Sequence, residues 1–172
     1  MIAVFNRQGP VLLLIALLAV LSGCGFQLRG AIAIPDELKV LHLAGDKNTA
    51  IYQAVAQILQ SNEVELVDSP DQAPYQIKIV GEKLSRRSAS LNTRAKIEEY
   101  ELRTTLTYSI SDSEGNELIE PTAIFTERTY SYDENNVNAT TAEESLLRQE
   151  MRENLAAQLV RRYLKLAETQ AP

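Results

Sequence analysis

Three stretches of period-two alternation dominate the middle of the chain. Tyr75, Ile77 and Ile79 share one parity. Over residues 99–110, Tyr100, Leu102, Thr104, Leu106, Tyr108 and Ile110 alternate with Glu101, Arg103, Thr105, Thr107 and Ser109. A looser run from about Glu117 to Tyr132 contains Ile124 and Phe125. Successive strand side chains point to opposite faces, so each run predicts an antiparallel strand with one buried and one wet face. Asp112-Ser113-Glu114-Gly115-Asn116 supplies a turn between the second and third runs. Pro121 lacks a ladder donor, which predicts an edge position or a bulge.

The flanking segments have other periods. Leu38 to Leu43 (LKVLHL) alternates and reads as a short strand, with Pro35 disfavouring any strand start before Asp36. Gly45-Asp46-Lys47-Asn48 is a turn, and Asn48 or Thr49 offers a helix cap. Ile51, Ala54, Val55, Ile58 and Leu59 then fall on one helical face. Val64 to Val67 is a second short strand, so strand, helix and strand predict one right-handed βαβ unit. Asp68 to Pro74 is a loop by its turn residues.

The last element is helical from about Thr141. Leu147, Met151, Leu155, Leu159 and Tyr163 recur every four residues, and Leu146, Val160 and Leu166 widen the stripe. Thr140 or Thr141 with Glu143 and Glu144 suits the positive end of a helix, and Arg161, Arg162 and Lys165 suit the other. The expected fold is α/β, a two-layer sandwich. Two helices pack on a mixed, mostly antiparallel sheet that contains one βαβ unit.

The N-terminus has a different pattern. Arg7 precedes an unbroken apolar run, Val11 to Leu21, which is too short to span about 30 Å of hydrocarbon and suits the h-region of a secretory signal. Leu21-Ser22-Gly23-Cys24 follows and resembles a bacterial lipobox. In lipoproteins with that signature the cysteine sulfur receives a diacylglyceryl group, the signal is cut before it, and the new amine is acylated. Cys24 is the only cysteine in the chain, so no intrachain disulfide can form and the core must hold the fold unaided. Several acyl chains exceed the threshold for stable anchoring, which a single chain does not reach. In that lipoprotein class an Asp after the cysteine retains the protein at the inner membrane. Gly25 therefore implies transfer to the outer membrane. The expected organisation is a signal peptide at 1–23, a lipidated tether at 24–36, one domain at 37–166 and a short tail at 167–172.

Charge and chemistry narrow the function. The chain has 17 Lys and Arg against 23 Asp and Glu, which argues against a nucleic-acid partner. His42 is the only histidine, flanked by Leu41 and Leu43, and reads as a satisfied strand residue. There is no G-x-S-x-G elbow, no phosphate loop and no dinucleotide fingerprint. One His and one Cys, in a strand and at the tether, do not make a zinc site. No catalytic residue, metal ligand or cofactor site is expected beyond the covalent diacylglycerol and N-acyl chain on Cys24. One cluster stands out. From Lys83 to Lys96 the chain has basic residues and no acids. Arg86, Arg87, Arg94 and Lys96 are the candidate contacts to an anionic ligand such as a phosphorylated lipid. They read as a solvated hairpin tip whose charge reversal the fold tolerates.

Cys24-Gly25-Phe26-Gln27-Leu28-Arg29-Gly30 resembles the start of mature proteins of the LptE family, which open with Cys-Gly, an aromatic residue, then x-Leu-Arg. The order of predicted elements and the Glu99-Tyr100 pair are also similar to that family. The resemblance implies a non-enzymatic outer-membrane lipoprotein lying on the periplasmic side within the lumen of the LptD β-barrel. Such a protein plugs the barrel, helps assemble it and binds lipopolysaccharide during delivery to the cell surface. It further implies a basic ligand contact in the loop before the middle strand, where Arg94 is the nearest match. A second basic position, before the final helix, is replaced here by Asn138-Ala139-Thr140-Thr141. Two rival readings stand beside this one. A lipoprotein subunit of another outer-membrane assembly or secretion machine is opposed by the CGFQLRG opening. A periplasmic envelope enzyme is opposed by the poverty of His, Cys and motif glycines.

Lipidation at Cys24 has a direct consequence. Cys24→Ala is expected to accumulate uncleaved precursor at the inner membrane, read by gel mobility and membrane fractionation. Normal processing with outer-membrane recovery would refute the lipobox reading.

Overall fold

The computed structural model describes residues 36–170. The signal segment and Cys24 lie outside the described residues, as does the tether up to Pro35. A 3-10 turn at Asp36–Leu38 leads into β1 (Val40–Ala44), α1 (Ala50–Ser61) and β2 (Glu65–Val67). A second 3-10 turn, Pro70–Gln72, precedes β3 (Tyr75–Leu91), β4 (Ile97–Asp112), β5 (Glu117–Ser131) and α2 (Val137–Gln170). The sheet order is β2-β1-β3-β4-β5. β1 runs parallel to both β2 and β3, while β3, β4 and β5 are antiparallel. Two helices on a mixed five-stranded sheet make the expected two-layer α/β sandwich with its βαβ unit.

Local chemistry explains the entry to α1. Thr49 is the cap, its Oγ1 accepting from Tyr52 N at 3.3 Å. Gly45 has φ +151°, and a Cβ there would lie 3.2 Å from the Ile79 Cβ, so the turn between β1 and α1 requires glycine. Leu41 and Leu43 of β1 meet Ile51, Val55 and Leu59 of α1 in the main core. Ile77, Ile79, Leu106, Tyr108 and Ile110 of the sheet join Leu155, Leu159 and Tyr163 of α2 in the same core. Tyr163 also donates its hydroxyl to the Leu38 carbonyl at 3.1 Å, tying α2 to the start of the domain.

β3 differs from expectation. It is 17 residues long and takes in Lys83 to Arg87, which the charge pattern placed between strands. The alternation was masked by a bulge at Val80-Gly81. Ile79 pairs with Tyr108, but Gly81 pairs with Thr107. The extra residue shifts parity, so Ile77 and Ile79 below it, and Glu82, Leu84 and Arg86 above it, share the helix-covered face. On the other face Arg87 pairs with Glu101 across the strands, Arg103 with Glu127, and Thr105 with Phe125. That face stays wet, with the Arg103 guanidinium 3.9 Å from the Phe125 ring centroid. Pro121 meets both expectations: β5 is an edge strand, and the register shifts between Tyr108–Thr122 and Ile110–Ile119 around it.

α2 begins four residues before Thr141. Thr140 and Thr141 do not cap it; their hydroxyls bond back to the carbonyls of Asn136 and Val137. Such back-bonding absorbs a hydroxyl inside a helix. Met151, Leu155, Leu159 and Tyr163 are buried as their spacing predicts, whereas Leu146 is exposed. The helical backbone continues to Gln170, past the expected end at 166. A second, smaller cluster of Leu102, Tyr130 and Met151, with Tyr100 and Leu147 against it, lies on the extension of the sheet.

Candidate functional site

The β3–β4 connection is shaped by one side chain. Asn92 Oδ1 accepts from the backbone N–H groups of Arg94 at 2.9 Å and Lys96 at 3.1 Å. Asn92 N donates to Lys96 O, and Ala95 N to Asn92 O. Ala95 sits in the left-handed region at φ +57°, as the reversal demands. Arg94 occupies this turn with an exposed side chain that has no ion pair among the described residues.

The other three candidates are engaged. Lys96 Nζ pairs with Glu134 at 2.6 Å, bridging the tip to the β5–α2 connection. Arg87 forms a bidentate pair with Glu101, Nε to Oε1 at 2.6 Å and Nη2 to Oε2 at 3.0 Å, on the wet face. Arg86, on the opposite face, donates from Nη1 to Glu144 Oε2 at 2.8 Å and stacks 4.5 Å from the Tyr100 ring centroid. The four residues therefore form no single patch. Arg94 and Lys96 stand at the tip, while Arg86 and Arg87 lie lower on β3 and face opposite ways. Reversing all four is not fold-neutral, because the change at Arg86 sets a carboxylate against Glu144.

Glu144, which the residue pattern offered only as an acid at the start of the last helix, is a hub. Its Oε1 accepts from Arg148 Nε at 2.8 Å and Nη2 at 2.6 Å, and its Oε2 accepts from the Tyr130 hydroxyl at 2.5 Å as well as from Arg86. Burial works against its ionisation, but the bonds from Tyr130, Arg148 and Arg86 outweigh burial and hold its carboxyl at about 2. Tyr130 stacks on Tyr100 with centroids 5.9 Å apart, and Tyr132 meets Tyr100 edge-on at 5.2 Å. The Glu144–Arg148 spacing of four residues was visible in the sequence. Its partner Arg86 was not, because the bulge hides which face Arg86 takes.

His42 Nδ1 lies 2.9 Å from the Val67 carbonyl, a satisfied strand histidine. An open groove of about 700 Å³ runs between the helices, lined by Gln53, Gln57, Gln149, Arg152 and Glu153 among others. Arg152 is committed to Glu82 at 2.7 Å. Among the described residues no three His, Cys, Asp or Glu side chains converge as a metal site, and no helix is long and apolar enough to cross a membrane.

The LptE family model, described as lipopolysaccharide-assembly, matches residues 38–163. This chain belongs to the LptE family. It is 32% identical to the LPS-assembly lipoprotein LptE of Pectobacterium atrosepticum, across 84% of this chain and 79% of the relative. It is 33% identical to the protein of that name from Yersinia enterocolitica, across 90% and 75%. Among solved structures, rare lipoprotein B from Shewanella oneidensis matches with TM-score 0.65 and 26% identity, over 76% of this chain and 96% of that one. A lipoprotein B from Nitrosomonas europaea shares the fold with TM-score 0.72 at 20% identity, over 84% and 93%. Membership places the chain among lipoproteins of lipopolysaccharide assembly rather than among enzymes.

The depressed carboxyl of Glu144 has a signed consequence. Its folded value of about 2 lies below the usual 4.5, so its contribution to stability is present above about pH 4.5 and is lost as pH falls toward 2. Urea denaturation of the parent and Glu144→Gln at stepped pH from 5 to 2 reads this. The parent is expected to be more stable at pH 5, with the gap closing on acidification. Other carboxylates titrate in both proteins and cancel. A gap that stays constant with pH would contradict the hub.

Proposed function

We propose that this chain is an outer-membrane lipoprotein, anchored by acyl chains on Cys24. It plugs the LptD barrel, assists its assembly and binds lipopolysaccharide on the way to the cell surface. The observation that carries the proposal is the family match over residues 38–163, which takes in nearly the whole folded domain. The geometry supports it in two ways. The sheet face away from the helices is largely polar, carrying Arg87, Glu101, Arg103, Thr105, Thr107 and Glu127 around the exposed Phe125, and suits the wet interior of a large barrel. The tip presents Arg94 on a turn held by Asn92, with no ion pair to it among the described residues.

The ligand step is then electrostatic. An acidic domain repels a phosphorylated lipid except where its surface is locally positive. Arg94 offers a guanidinium fork to a lipid phosphate, while the ion pairs of Lys96 and Arg87 keep those cations turned to their own acids. Arg94 is thus the first contact, and Asn92 positions it.

Arg94→Glu is expected to weaken lipopolysaccharide binding by the soluble domain about three- to tenfold at low salt, and less at moderate salt. Its thermal unfolding should match the parent. Unchanged affinity in the folded variant would remove Arg94 from the site. In parallel, the domain without its acyl chains is expected to co-purify with LptD, because the barrel contacts lie on the folded domain. Association that vanishes on delipidation would assign the complex to the tether.

A further inference from the structure

Two guanidinium groups and a phenol converge on one carboxylate oxygen pair at Glu144. Arg148 gives two bonds to Oε1, and Arg86 and Tyr130 give one each to Oε2. A structural ion pair needs only one cation per carboxylate; this cluster has an excess positive charge. The site is also reachable, since the side chain of Arg86 is 46% exposed and that of Arg148 is 22% exposed. Two of the three donors have supports besides Glu144, while the described bonds of Arg148 go to Glu144. Arg86 rests on the Tyr100 ring, Tyr130 stacks on that same ring, and Met151 and Leu102 pack beside Tyr130.

We infer that Arg86, Arg148 and Tyr130 form an anion seat that Glu144 fills in the free protein and that a phosphate monoester group takes over on binding. A carboxylate brings one negative charge and two acceptor oxygens. A phosphate monoester brings a charge near −2 and three acceptor oxygens, matched to the planar forks of two arginines. Glu144 competes from within the chain, as if present at a high effective concentration. Free inorganic phosphate therefore displaces it poorly. A larger phosphorylated ligand that also engages Arg94 has the second attachment needed to displace it. The displaced carboxylate turns to solvent beside Arg148. The seat thus selects for phosphate carried on a multivalent molecule over phosphate alone. Only the identity of that molecule as lipopolysaccharide rests on the function proposed above; the seat itself rests on the geometry.

The experiment uses the soluble domain, inorganic phosphate, lipopolysaccharide and chemically dephosphorylated lipopolysaccharide. Glu144→Gln removes the internal anion at nearly constant size. It is expected to bind inorganic phosphate at least about fivefold more tightly than the parent by calorimetry. Arg148→Gln added to it should abolish the gain. The same variant should bind lipopolysaccharide more tightly, with the gain lost on the dephosphorylated form. A folded Glu144→Gln that binds inorganic phosphate no better than the parent overturns the seat. A gain for inorganic phosphate when neither protein binds lipopolysaccharide upholds the seat and refutes the ligand reading. If Glu144→Gln fails to fold, the parent still decides. Saturating lipopolysaccharide should shift the guanidinium N–H resonances of Arg86 and Arg148. Unmoved resonances in a parent that binds the lipid overturn the seat as well.

Discussion

A mismatch in length governs this fold. β3, β4 and β5 are 17, 16 and 15 residues long, while β1 has 5 and α1 has 12. A 17-residue strand reaches about 56 Å, whereas α1 covers about 18 Å. Most of the antiparallel hairpin therefore projects beyond the βαβ unit, and among the described elements α2 is the one that covers it. With 34 residues α2 extends about 51 Å, close to the length of the strands. Toward its C-terminal half α2 is held by apolar packing through Leu155, Leu159 and Tyr163. Toward its N-terminal half that packing thins to Met151 and Leu147, and charged bonds join it: Arg152 to Glu82 and Glu144 to Arg86. The projecting end is therefore held partly by interactions that pH, salt and anions can reach.

Much of the architecture was legible because period-two and period-four patterns are long and regular here. The alternation from Tyr100 to Ile110 defined β4 and its buried face, and the recurrence of Met151, Leu155, Leu159 and Tyr163 defined the core face of α2. What escaped was the continuation of β3. A bulge at Val80-Gly81 breaks the parity signal, and the polar run from Lys83 to Arg87 then looks like a loop. The helix start was misplaced for a related reason: Thr140 and Thr141 have capping chemistry, but their hydroxyls serve carbonyls inside the helix.

The candidate site shows the same division. Arg94 and Lys96 fall on the tip as the charge run predicted, and a turn controlled by Asn92 places them. Arg86 and Arg87 are adjacent in sequence yet face opposite sides of the sheet, each bound to its own glutamate. Composition registers their charge but not its neutralisation. The convergence of Arg86, Tyr130 and Arg148 on Glu144 joins residues up to 62 positions apart, and no local pattern encodes it. Within the LptE family, this domain combines a largely polar sheet face with a projecting end whose basic groups are differently committed. Arg94 has no ion pair among the described residues, and Arg86 and Arg148 hold an internal carboxylate.

The central claim is that lipopolysaccharide meets this domain at the projecting end. Site-specific photo-crosslinking in living cells tests it most directly, with the crosslinking residue placed at Thr93 in the tip turn or at Glu63, before β2 at the far end of the domain. The account predicts lipopolysaccharide adducts from position 93 and none from position 63. Adducts from position 63 with none from position 93, in a protein that still assembles, would contradict it.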